Sequence, residues 1–75
     1  MKVLFFASIA EITGESELVV QDIKTLEELK QFLNKKFPAI AGLNFSMAVN
    51  KKIVQGNLSI VETDEVALLP PFSGG

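Results

Sequence analysis

Apolar residues recur along the chain with two different periods, and the change from one to the other marks out the elements. Lys2 to Ala7 (KVLFFA) is a short run rich in β-formers and predicts a buried strand. Ser8-Ile9-Ala10-Glu11 has the S-x-x-E form of a capping box, and Gly14 supplies a helix-stopping residue. The first strand is therefore expected to lead into about one helical turn rather than a tight hairpin. Glu17 to Gln21 (ELVVQ) predicts a second strand. The period then becomes helical: Leu26, Leu29, Phe32, Leu33 and Phe37 form one apolar stripe. Thr25 and Glu28 make a capping box at its start. Glu27 and Glu28 sit at the positive end of the helix dipole, Lys35 and Lys36 at the negative end, and Pro38 ends the helix. Ser46 to Asn50 alternates as a strand, Asn50-Lys51-Lys52 reads as a turn, and Ile53-Val54 as a short strand. Leu58 to Val61 reads as an irregular connection, Thr63 to Glu65 as a turn, and Val66 to Leu69 as the last strand. The order ββαβββ predicts an α+β fold with one main helix across one face of a mixed sheet.

One helix covers one face, and this chain has apolar residues for two. Strand side chains alternate, so Val3 and Phe5 directed at the helix leave Leu4 and Phe6 on the opposite side. Likewise Val66 and Leu68 inward put Leu69 outward. Contiguous apolar surface of this kind marks an interaction site, and docking of a partner is the expectation.

Composition narrows the chemistry sharply. Among 75 residues there is no Cys, His, Trp or Tyr, and all seven basic residues are Lys. Disulfides, zinc sites, thiol nucleophiles, imidazole bases and guanidinium clamps are thereby excluded, and no bound metal is expected. A net charge of −2 argues against a nucleic-acid partner and against an electrostatic membrane tether. No apolar run approaches the roughly 18 residues that span a bilayer, and the apolar start is read as a strand rather than a signal peptide. The cytoplasm is the expected location. Neither G-x-x-x-x-G-K nor G-x-S-x-G occurs, so no ATP site or serine nucleophile is expected in the chain itself. Glu27 and Glu28 diverge on their helix and are explained by its dipole, while Asp64 and Glu65 read as solvated turn acids. Lys51-Lys52 reads as a charged hairpin tip with a possible part in binding an acidic partner.

The chain divides into a body, residues 1–69, and a tail, residues 70–75, Pro-Pro-Phe-Ser-Gly-Gly. Two prolines set a stiff, extended exit from the last strand. Six extended residues reach about 20 Å, enough to enter a neighbour's active site. Gly74 and Gly75 lack a Cβ and can pass a narrow channel. Phe72 is the candidate anchor of this tail.

These features together resemble the MoaD/ThiS family of sulfur carriers, in particular the small subunits of molybdopterin synthase. The resemblance covers the whole chain. It is carried by KVLFFA at 2–7, Glu11 to Gly14, the helix from Thr25, Ala48-Val49-Asn50, and above all D-E-V-A-L-L-P-P-F-S-G-G at 64–75. It implies a ubiquitin-like β-grasp fold. It further implies that a partner enzyme uses ATP to adenylate the Gly75 carboxylate, which a sulfur donor then converts to a thiocarboxylate (1-thioglycine). Within a heterotetrameric synthase the loaded tail would enter the large subunit, where sulfur passes to a pyranopterin precursor of the molybdenum cofactor and forms its dithiolene. The chain would bind no cofactor, have no activity alone, and act as a recyclable cosubstrate. Gly75 would be the modified residue, Gly74 its threading companion, and Phe6, Ile53 and Leu69 the docking face. Ala10 stands where the family often has Arg, and Leu68-Leu69 where Phe-Phe is frequent. The competing readings are a thiamin-pathway sulfur carrier and a ubiquitin-like modifier conjugated through Gly75. Ser8 to Gly14 and Pro70-Pro71 favour the molybdopterin side over the thiamin one.

Overall fold

The structure, a computed structural model, describes residues 1–70. Its elements are β1 (Lys2–Phe5), α1 (Ala7–Thr13), β2 (Glu17–Val19), α2 (Leu26–Lys36), a 3₁₀ turn (Pro38–Ile40), β3 (Ser46–Val49), β4 (Lys52–Val54) and β5 (Glu65–Leu69). The strands form one mixed sheet in the order β2-β1-β5-β3-β4. β5 runs parallel to β1 and antiparallel to β3, while β2 and β4 close the two edges antiparallel to their neighbours. This is the β-grasp architecture expected from the sequence, with α2 lying across one face.

α2 forms for the local reasons its sequence supplies. Thr25 Oγ1 accepts the Glu28 backbone N–H at 3.1 Å, and Glu28 Oε1 accepts the Thr25 N–H at 3.1 Å, completing the capping box. A second cap comes from far along the chain: Asn57 Oδ1 accepts the Glu27 N–H at 2.9 Å. Leu26, Leu29 and Leu33 are buried against Val3, Phe5, Val66 and Leu68, which form the centre of the core. Phe37 closes the helix and meets the Phe5 ring edge-on at 5.6 Å. Such edge-to-face pairs contribute about 0.5–1.5 kcal/mol beyond simple burial. Phe32 departs from the expected stripe and is exposed. At 100° per residue it lies about 60° beyond Leu29, past the edge of the arc that the sheet covers.

The segment after β1 also differs from expectation. α1 is seven residues long, about two turns, and begins at Ala7 with Phe6 as N-cap. No side chain caps it, so Ser8 lies inside the helix and the S-x-x-E box does not form. The reason is a backbone break at Ala7, whose φ of +50° turns the chain out of the strand one residue early. Gly14 does end the helix in the left-handed region, φ +75°, with its N–H donating to the Ala10 carbonyl at 2.9 Å. Ala10 itself packs against the core, so this position faces inward in this chain.

Candidate functional site

The register of the sheet assembles the outward-facing residues into rows. Leu4 pairs with Ala67, Ala67 with Ala48, and Ala48 with Ile53, one rung crossing β1, β5, β3 and β4. Their inward neighbours Val3, Phe5, Val66 and Leu68 are fully or almost fully buried beneath the helices, so this rung lies on the opposite face, which is uncovered among the described residues. Two alanines at its centre and larger side chains on either side make a shallow trough. Leu4, Phe6, Ala48, Ile53, Ala67 and Leu69 line it, with Lys51 and Glu65 at its rim, and its volume is about 400 Å³.

Phe6, Ile53 and Leu69, named from the sequence, are therefore brought together. Phe6 and Ile53 are 44% and 56% exposed, which no core role explains in a chain of this size. Phe6 is held in place by its backbone: its N–H donates to the Leu68 carbonyl at 3.3 Å, extending the β1–β5 ladder one residue beyond the strand. The turn at Ala7 then removes the chain from the face and leaves the Phe6 ring standing over it. Leu69 projects to the same side because Leu68, beside it, is fully buried. The candidate tail residues Phe72, Gly74 and Gly75 lie outside the described residues, which end one residue beyond β5.

Sequence reasoning missed Ala48 and Ala67, the floor of the trough. Ala48 is almost completely buried yet takes no part in the core cluster, because the larger outward side chains beside it shield it. Only cross-strand register reveals that the two alanines are neighbours. It also missed how the hairpin tip at the rim is fixed. Asn50 donates from Nδ2 to Asp64 Oδ1 at 2.9 Å and accepts the Glu65 N–H on Oδ1 at 3.1 Å. Asp64 Oδ2 accepts the Val61 N–H at 2.8 Å. The Val61 N–H first, and the Asn50 amide second, hold the Asp64 carboxyl below its ordinary pKa. This clasp ties the β3–β4 turn to the start of β5 and so fixes one end of the trough. Chemically the face offers, among the described residues, apolar contact and two rim charges, Lys51 and Glu65.

A second open hollow lies on the other side of β4, lined by Glu27, Lys30, Gln55 and Asn57 among others. It is more polar, and Asn57 is already engaged in capping α2. It lacks the apolar continuity of the outer face.

Comparison with known proteins bears on the family and the fold. The ThiS family profile matches residues 3–75. The molybdopterin synthase sulfur carrier subunit of Escherichia coli (strain K12) is 34% identical over 80 residues, covering 100% of this chain and 99% of its own length. The Homo sapiens protein of the same description is 36% identical over 83 residues, covering 100% and 93%. Among solved structures, small archaeal modifier protein 1 from Methanosarcina acetivorans has a TM-score of 0.82 at 24% identity, covering 99% of this chain and 94% of that one, and shares the fold. A chain in the complex of subunits 1 and 2 of the Helicobacter pylori molybdopterin-converting factor has a TM-score of 0.74 at 26% identity, covering 99% and 96%. Family profile, full-length relatives and fold agree: the chain belongs to the ThiS family, together with the molybdopterin synthase sulfur carrier subunits.

Proposed function

We propose that this chain is the sulfur carrier of molybdopterin synthesis and that the trough on the uncovered sheet face is where its protein partners dock. The observation that carries the reading is the placement of β5. This central strand supplies Ala67 and Leu69 to the trough and then leads directly into Pro70 and the tail. A partner seated on the face is thereby next to the start of the segment that reacts. The H. pylori complex of subunits 1 and 2 supports a large subunit as one such partner.

In this reading the Gly75 carboxylate attacks the α-phosphorus of ATP on an adenylating enzyme, releasing pyrophosphate and leaving an acyl adenylate. Sulfide-level sulfur from a donor then attacks the acyl carbon and displaces AMP, leaving the thiocarboxylate. The terminal sulfur attacks a carbon of the pyranopterin precursor in the large subunit and displaces an oxygen substituent from it. Water then cleaves the resulting thioester, restoring the carboxylate and leaving the sulfur on the pterin. The dithiolene contains two sulfurs, so two loaded carriers are consumed for each product. The chain supplies the terminal nucleophile and the docking face, and Gly74 the slender approach. Catalytic acids and bases belong to the partners.

The test is intact-mass measurement after incubation with the adenylating enzyme, ATP and a sulfur donor. The expected result is a gain equal to replacing one oxygen by sulfur, absent when Gly75 is deleted. An unchanged mass overturns the carrier reading. Ladders of heavier conjugates would instead identify a protein modifier. The Gly75 deletion should still bind the large subunit, since the trough is intact in it.

A further inference from the structure

The β3–β4 hairpin turns on two residues, Asn50 and Lys51, between the paired Val49 and Lys52. Both have positive φ, +49° and +73°. Two-residue hairpins of this kind favour Asn at the first position and Gly at the second, because only Gly takes the second conformation without steric cost. Asn50 fits that rule, and Lys51 breaks it. Strained non-Gly residues cluster at functional sites, which makes Lys51, beside the trough, a candidate.

Among the described residues no ion pair provides a purpose for the strain. Among the described residues the ion pairs are Met1 with Glu62 and Lys2 with Glu17, and Lys51 has no carboxylate within 4.0 Å. Its side chain lies at the rim of the trough, continuous with the apolar residues of the docking face. Glu65 shares that rim and is flanked in register by Lys2 of β1. The Asn50–Asp64 clasp fixes the turn, so the backbone at Lys51 is held at the rim.

We propose that Lys51 is a specificity-determining residue of the docking face, pairing with a carboxylate that the large subunit presents beside its apolar contact. This rests on the reading of the trough as the docking surface. A charge at the edge of an apolar contact selects partners and accelerates encounter more than it adds affinity.

The sign of two measurements tests it. With the full chain and the large subunit of its own synthase, Lys51→Gly and Lys51→Asn should melt higher than wild type by several degrees, since turn strain is relieved. The same variants should bind the large subunit about fivefold more weakly at low salt, with the gap closing as salt rises. Lys51→Arg should bind within about twofold of wild type, since it keeps the charge. Neutral variants that bind as tightly as wild type at every salt concentration overturn the proposal. So do neutral variants that melt lower, because Lys51 would then serve the fold. Ile53→Asp separates this failure from failure of the docking reading. If Ile53→Asp loses binding while Lys51→Gly does not, only the lysine proposal falls. If Ile53→Asp binds like wild type, the docking face falls and the lysine proposal with it.

Discussion

Leu68 and Leu69 are adjacent in β5 and belong to opposite faces of the sheet: Leu68 is fully buried beneath the helices, and Leu69 lines the open trough. The same side chain thus has two unrelated surroundings one residue apart. Truncating each should separate stability from binding. Leu68→Ala is expected to cost about 2–5 kcal/mol of folding stability, the range for a buried Leu that leaves a cavity. Leu69→Ala should cost much less stability yet weaken binding to the large subunit. Denaturant unfolding alongside titration with that subunit checks both, and equal stability losses would contradict the assigned faces.

Filling the trough should block it without harming the fold. Ala67→Leu adds its atoms on the uncovered side, where no helix packs. The expected outcome is a melting temperature close to wild type and at least a tenfold loss of affinity for the large subunit. Unchanged affinity would mean that the alanine floor is not contacted.

Thr25→Ala removes one half of the capping box and exposes the Glu28 N–H. Loss of such a cap costs about 1 kcal/mol. In a domain of this size that corresponds to a fall in melting temperature of about 4–8 °C. Because Thr25 is distant in the fold from the trough residues, binding measured well below the transition should not change.

Asp64 gives the fold an acid-sensitive contact. Its pKa is lowered in the folded protein, chiefly by the Val61 N–H and then by the Asn50 amide. A lowered folded value means that the stabilisation is fully present above the unfolded value, near the ordinary 3.8, and is lost as pH falls through the folded value. Wild type and Asp64→Asn should therefore differ in melting temperature at neutral pH and converge as the solution is acidified below about pH 4. A difference that persists unchanged at low pH would show that the carboxylate charge is irrelevant to the clasp.

The sequence made most of the fold legible because its strongest signals are local. Thr25, Glu28 and the spacing of Leu26, Leu29 and Leu33 are enough to place α2, and alternation in KVLFFA and VALL is enough to assign Leu4, Phe6 and Leu69 to the second face. The N-terminus of α1 was misread because Ala7 takes a positive φ, which its residue type gives no reason to expect. The alanine floor was invisible for another reason. Ala48 and Ala67 stand nineteen positions apart, and only the β3–β5 register makes them neighbours. The resemblance to a known family supplied Ile53, which alternation alone did not single out.

The position of β5 has a mechanical consequence. It lies between β1 and β3, hydrogen-bonded on both sides, and the tail continues from its C-terminal end. Tension applied to the tail along the strand would load both ladders in shear, so that their bonds resist together rather than opening one by one. An edge strand in the same role would have only one ladder to resist with. Force applied at the chain end that follows β5 is thus shared by two ladders, and the body resists being pulled apart from that end.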